Sequence, residues 1–565
     1  MTTRRIYHLL LLFVLCAALF AFKVGARGFW GRHGGSRRAE VSREMVESGK
    51  WAVPHLNGEA FITKPPLYYW SVACVFRLRD KFDEFGARLP SVVAGSAGVL
   101  LVYFWASLLS SPRTGLIAGI ILASNFLYVG MARSAEADMM LTLFTTAALY
   151  CFSAGYLQQN GPGRLSRDKG TAMYTLATIC LALGTLTKYP IGLAVPLIAI
   201  ILFIFVTRHF RLFLDTKPWW MTLLFLAIVL PWFLIVSHRV PDFFEILEQE
   251  TLKRYTHPME TPHLEPVYFY FQALGSFMPW VIFLPGLITG FFNADKRSQI
   301  PKSQILVYCA FIGGFLLFSS VGSKREYYLL PLYPFLAIIT AQYWDDYLKR
   351  SPSRQHAFIR KGIEIPLLMT AGILCLLGLA LPIVALLVLP NNTALSLFVA
   401  LLLLSCGVLL FNTVFTQQSL QSFIIFVVAT VLLYLYAQVA VVPEIDRYRS
   451  RKVFLQDAAA IAGRHLVIDY RYESYQLPFY MQRIVPVVTS VSGLREIAAR
   501  ERFFYTILQA GPYEELRQDA PDLLAKSEIV LEGRWQSAIH PERSRRLILL
   551  KYERQQAQAS SPTDE

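Results

Sequence analysis

The sequence predicts a polytopic α-helical membrane protein of about thirteen transmembrane helices, followed by a small C-terminal α/β domain. Three observations carry this. Of 565 residues, 55% are hydrophobic and only 16% charged, where soluble domains carry about 25% charged residues. Mean hydropathy is +0.42, and apolar runs of about 20 residues recur along the chain. After residue 443 the composition changes: charges become frequent, and short strand-like and helix-like runs alternate.

The expected spans are 6–26, 88–110, 112–131, 137–157, 171–188, 191–207, 218–238, 270–293, 304–322, 327–346, 364–389, 394–412 and 422–442. The first follows a basic stretch, as a signal peptide would. Its apolar run is longer than a signal core and its cleavage context is weak, so it reads as an uncleaved helix. With the N-terminus inside, four cytoplasmic loops collect Arg164, Arg167 and Lys169; Arg208, Arg211 and Lys217; Lys296, Arg297 and Lys302; and Lys349, Arg350, Arg354, Arg360 and Lys361. The net charge of +15 is therefore a topology signal and gives no reason to expect a nucleic-acid partner. An odd span count puts the C-terminus outside.

The outer side then receives loop 27–87, the 133–136, 188–190 and 323–326 turns, loop 239–269 and the C-terminal domain. Within loop 27–87, Arg38 to Ser48 reads as a short helix on the membrane surface, stopped by Gly49. Pro66 to Leu78 is too short to span and reads as interfacial. In the tail, 446–552 is expected to form the domain. Its strands are expected at 466–469, 484–488, 503–508, 529–531 and 547–550, with helices at 454–463, 493–500 and 512–525. Residues 553–565 are expected to be disordered. The seven cysteines lie in or beside apolar segments without metal spacing and read as packing residues.

Ionisable groups at membrane depth are costly, so those at the outer turns are functional candidates. Lys64, before Pro65-Pro66 and the aromatic Tyr68-Tyr69-Trp70, has the chemistry of a phosphate partner; a solvated loop lysine is the plainer reading. Glu136 and Asp138 open the fourth span. Asp138 reads either as a cap or partner of Arg133, or as a carboxylate that acts as, or orients, a base. Lys188 ends the fifth span and either snorkels or pairs with Asp138. Loop 239–269 carries Glu250, Lys253, Arg254, His257, His263 and Glu265. That set opens the reading of a divalent metal, but its spacing matches no standard zinc motif. Arg254 as a bidentate phosphate clamp is favoured, and no residue is assigned as a metal ligand. Lys324, Arg325, Tyr327 and Tyr328 place cations and aromatic rings together at the interface; tyrosines alone would be belt residues.

Several segments carry a family resemblance. They are Arg38-Ala39-Glu40-Val41-Ser42-Arg43-Glu44-Met45, then Gly49-X-Trp51-X-X-Pro54-X-Leu56-Asn57-Gly58, then Lys64-Pro65-Pro66-Leu67-X-Tyr69-Trp70. Ala87-Arg88-Leu89-Pro90, Thr187-Lys188, Pro279-Trp280 and Tyr328-Leu329-Leu330-Pro331 follow in order. Together they resemble the GT-C superfamily of integral-membrane glycosyltransferases, in the branch of the aminoarabinose transferase for lipid A and the protein O-mannosyltransferases. The resemblance covers roughly residues 1–445. It implies a bacterial inner-membrane enzyme that takes a sugar from a polyprenyl-phosphate-linked donor. The sugar would pass, with inversion, to a lipid, glycan or protein acceptor on the outer face, lipid A modification being one such use. By position, Lys64, Arg254, Tyr328, Lys324 and His263 would bind the lipid phosphate, and Asp138 and Lys188 would sit at the reaction centre.

The chain departs from the family at one important place. Many members carry Asp-Glu three and two residues before the arginine that Arg37 matches, and this chain has Gly34-Gly35 there, preceded by His33. Thr63 also replaces a frequent glutamate. The missing base is then Asp138, the first choice, or Glu136, Glu40 or His33. Otherwise the alignment slips locally, or the protein is a catalytically inactive lipid-binding homologue. A transporter or flippase is the other alternative; it predicts inverted repeats and broken helices near the bilayer midplane, and is disfavoured because the charges gather at the outer face and no repeat is visible in the sequence.

Overall fold

The computed structural model describes residues 3–30, 34–160, 167–253, 268–291, 301–322, 324–349, 357–535 and 545–554. Among them, nine helices are long and apolar enough to cross a membrane, and eleven if two sharply bent helix pairs each count as one span. The two other expected spans fall on helices of 17 residues each, Ile191–Thr207 and Tyr333–Lys349. Large apolar side chains such as Phe13, Trp219, Leu387 and Phe415 are exposed on these helices, as lipid-facing surfaces require.

The bent pairs explain each other. Pro112–Ala123 and Phe126–Ala132 meet at 69°, and Phe269–Phe277 and Trp280–Thr289 at 112°. A broken helix frees backbone groups that must find partners inside the protein. Here Asn125 Oδ1 accepts from Tyr128 N–H at 2.9 Å, Phe126 N–H donates to the Met278 carbonyl at 2.8 Å, and the Trp280 indole donates to Ser124 Oγ at 3.1 Å. Each break thus supplies partners to the other. The first bent pair also leads directly into the Arg133–Glu136 turn.

The expected surface helix forms as Gly35–Ser48, with Gly49 left-handed at φ +70° as its stop. It does not lie on the surface. Ala39 to Met45 are buried between Leu67–Arg79 and the helix Gln476–Met481 of the C-terminal part. The reason is electrostatic as well as steric, because its charges are paired internally: Glu40 makes two hydrogen bonds with Arg43 (2.8 and 2.5 Å), and Arg43 also reaches Glu47. A two-residue hairpin follows, β1 (His55–Leu56) and β2 (Glu59–Ala60). Its Asn57-Gly58 turn has both φ values positive (+55° and +87°), as this turn chemistry favours. Both turn N–H groups donate to the Glu44 carboxylate. The Asn57 side chain exchanges two hydrogen bonds with the Val485 backbone, at 2.7 and 2.8 Å.

The C-terminal part folds around a mixed sheet in the order β4-β3-β5-β7-β6. Its strands are β3 (Val467–Tyr470), β4 (Val487–Val488), β5 (Phe503–Gln509), β6 (Ser527–Trp535) and β7 (Arg545–Glu553). β4, β3 and β5 run parallel, while β7 is antiparallel to both β5 and β6. Helices Lys452–Ala462, Val491–Arg500 and Ala510–Asp519 accompany it. The expected disordered tail starts too early, because Glu553 is the last residue of β7 and pairs with Phe503; residues 555–565 lie outside the described residues.

Candidate functional site

Two ion pairs from three separate segments meet at one end of the helices. Arg38, on the first turn of Gly35–Ser48, forms a bidentate pair with Glu136 (2.9 and 2.5 Å). Two residues on, Asp138 opens the helix Ala137–Asn160 and accepts from Lys188 Nζ at 2.6 Å. The ammonium of Lys188 also sits over the rings of Tyr328 (4.9 Å) and Tyr327 (5.8 Å), a cation–π arrangement that holds a partly dry cation. The alternative partner of Asp138 is otherwise engaged: Arg133 gives its Nη1 to the carbonyls of Leu19, Phe20 and Phe22.

Glu136 faces open space. It lines a cavity of about 290 Å³ with Gly34, Gly35, Arg27, Arg88 and Tyr327 among others. A Cβ placed on Gly34 would lie 3.6 Å from Glu136 Oε1. The carboxylate therefore stands next to the position where a side chain at residue 34 would begin. Burial holds the Glu136 carboxyl above its usual range, and Arg38 pulls it back down. Asp138 is more enclosed, its side chain 4% exposed against 19% for Glu136.

Lys64 projects from the turn before Leu67–Arg79 and pairs with Glu250 at 2.8 Å. Its neighbours Thr63 and Pro65 share a small cavity with Tyr189, Trp232 and Glu250. The two halves of the site are linked by Tyr69. Its buried hydroxyl is held above its usual range mainly by burial, and it lies in the fields of Arg38, Arg37, Glu136 and Glu250. Lys324 is buried beside the Tyr327–Tyr328 turn.

The structure thus brings together Glu136, Asp138, Lys188 and Tyr328, while Lys64 pairs with Glu250. It does not bring Glu40 to them. Glu40 is fully buried in its pair with Arg43, and burial pushes its carboxyl up to about 7. Arg254, His263, His257, Glu265 and His33 lie outside the described residues. No three His, Cys, Asp or Glu side chains group closely enough to hold a metal among the described residues. Sequence reasoning missed the Arg38 clamp. Arg38 stood in the quoted first-loop pattern, but nothing in linear spacing links it to a residue 98 positions away.

Residues 6–247 match the family model described as dolichyl-phosphate-mannose-protein mannosyltransferase. An undecaprenyl phosphate-alpha-4-amino-4-deoxy-L-arabinose arabinosyl transferase of Edwardsiella ictaluri (strain 93-146) is 30% identical over 311 residues, 54% of this chain and 54% of that protein. The match thus spans about half the length of that relative. Among solved structures, ArnT from Cupriavidus metallidurans in the apo state superposes with a TM-score of 0.75 at 19% identity, covering 96% of this chain and 97% of that one. The same protein bound to undecaprenyl phosphate gives 0.72. At this identity the likeness establishes a shared fold.

Proposed function

We propose that this chain, a relative of the GT-C membrane glycosyltransferases, moves a sugar from a polyprenyl-phosphate-linked donor to a lipid, glycan or protein acceptor on the outer face of a bacterial inner membrane. The observation that carries this reading is the Glu136 carboxylate, held by Arg38 at a cavity and beside Gly34, where the family resemblance implies an acid. In this reading Glu136 is the base and takes over from the missing loop acid. It removes the proton from the acceptor hydroxyl, whose oxygen attacks the anomeric carbon as the bond to the lipid phosphate breaks. Such a base contributes about 10²–10⁴ in rate. The charge that develops on the leaving phosphate is met by Lys64, Lys188 and Lys324, with Tyr328, Arg254 and His263 as further phosphate ligands. Cations in a partly dry site contribute several kcal/mol to such a step. Asp138 keeps Lys188 charged and aimed.

The name of the Edwardsiella relative suggests undecaprenyl phosphate as the carrier and aminoarabinose as the sugar, with lipid A as the first acceptor to test. The same reading takes thirteen spans, the N-terminus inside, and residues 446–552 as a periplasmic domain after the transmembrane unit 1–445.

Purified protein in liposomes, given a polyprenyl-phospho-sugar and extracted acceptors, tests the proposal. Transfer is expected, with loss in Glu136→Gln while lipid-phosphate binding persists. Binding of the donor lipid with no turnover by the unmodified protein would overturn the enzyme reading in favour of a lipid-binding homologue. If Asp138→Asn abolishes turnover and Glu136→Gln leaves it intact, the base assignment moves to Asp138.

A further inference from the structure

A second and larger cavity, of about 550 Å³, lies where the first and last spans leave the membrane under the C-terminal part. Four segments line it. Lys23 and Arg27 follow the first span; Gln438, Val442, Pro443, Asp446 and Arg447 end the last one; and Lys452, Val453 and Trp535 close it from the C-terminal part. Arg133 lines it from the turn that also carries Glu136. The wall is stitched shut nearby: Trp30 Nε1 donates to Asp446 Oδ1 at 2.5 Å, Gly28 N–H to Asp446 Oδ2 at 3.3 Å, and Trp30 bridges Ser450.

The charge of this cavity is unbalanced. Arg447 is offset by Glu444 and Lys452 by Glu84, both at 3.0 Å. Asp446 is the one acid in the lining, and it is engaged by Trp30 and Gly28. Lys23 and Arg133 have no carboxylate partner among the described residues. Arg133 is only 2% exposed. Three carbonyls use its Nη1, yet its Nε is buried with no hydrogen-bond partner among the described residues. A buried guanidinium that lacks both a counter-charge and a partner for one N–H is costly, and an anion in the cavity would supply both. The position says which anion. Lys23 stands two residues past the lipid-exposed span Thr3–Ala21, its neighbour Phe22 is exposed, and the exposed apolar side chain of Val453 lines the cavity. That is the level at which cationic side chains meet lipid headgroups.

We propose that this cavity binds the phosphate of an anionic lipid headgroup, at a site separate from the pocket around Lys64. The apolar walls at Ala26, Val442, Pro443 and Val453 take the glycerol or the start of the acyl chains, and Lys23, Arg27 and Arg133 take the phosphate. The proposal does not depend on sugar transfer.

The test uses the full-length protein, delipidated in detergent and then offered phosphatidylglycerol, phosphatidylcholine or inorganic phosphate, with retained lipid counted by native mass spectrometry. The unmodified protein is expected to retain phosphatidylglycerol over phosphatidylcholine, and Lys64→Ala to retain it equally. The double variant Lys23→Gln/Arg27→Gln is expected to lose about tenfold in affinity, the scale of a lost charge-assisted contact. Lys23→Arg, which keeps the charge and puts little strain on folding, should hold the lipid as the unmodified protein does. Equal retention of the two lipids, unchanged retention in the double variant, or binding of inorganic phosphate without preference for phosphatidylglycerol would each overturn the proposal.

Discussion

The helix Gly35–Ser48 carries two carboxylate–arginine pairs with opposite fates. At its start, Arg38 reaches across to Glu136, which borders a cavity. A turn further on, Glu40 and Arg43 pair on the same helix with side chains about 1% exposed or less, packed under the C-terminal part. Both pairs join the same two charge types at hydrogen-bond distance. The first joins distant segments and leaves a carboxylate next to open space; the second is local and sealed. A buried ion pair thus reads as chemistry only where a cavity gives a substrate access, and otherwise as architecture with a large penalty for breaking it.

The contrast can be broken in several ways. The largest expected effect is on rate: Glu136→Gln should lower transfer about 10²–10⁴-fold with little change in thermal stability, measured by product formation and by melting in detergent. Arg43→Ala should do the reverse. It strands the buried Glu40 and should destabilise the fold by about 3–5 kcal/mol, read as a lower melting temperature, while the folded fraction keeps its donor-lipid binding. Next, Glu250→Gln should tighten donor-phosphate binding by about tenfold or less, because Lys64 no longer has to leave its carboxylate partner; titration with polyprenyl phosphate checks this.

Two pH effects are smaller. A base works ionised, and burial raises Glu136, so the rising limb of kcat/KM against pH should lie above the ordinary carboxylate range. Arg38→Gln should move it higher still. Glu40 differs in sign. Its folded carboxyl is raised to about 7, so the unfolded chain releases this proton first. Its contribution to stability is therefore present at low pH and fades as pH rises from the ordinary carboxylate range to about 7. Glu40→Gln should flatten that part of the melting-temperature profile.

Much of the scaffold was legible in the chain. Gly49 stops its helix where expected, Pro65-Pro66 precedes Leu67–Arg79, and the five strand runs each overlap a strand of the sheet. The pairing of Lys188 with Asp138 was legible as one of two readings, since two costly charges at the same depth need each other. The Gly35–Ser48 helix was misplaced on the surface because its pattern of charges looks solvated. Nothing local says that Glu40 and Arg43 satisfy each other, or that Gln476–Met481, more than 400 residues on, covers them.

Sequence alone determined the helical membrane class, the recurrence of charges at the ends of apolar runs and the presence of Gly34-Gly35 in the first loop. These depend on hydropathy, charge count and residue identity, which are properties of the chain read locally. Only the tertiary structure decided which carboxylate stands beside that gap, which ion pair is sealed, and where Arg133 is left short of a partner. Each of those depends on two broken helices docking through each other's free backbone groups and on a C-terminal sheet closing over the first loop. Such contacts join residues up to about 450 positions apart, and no periodicity in the sequence encodes them.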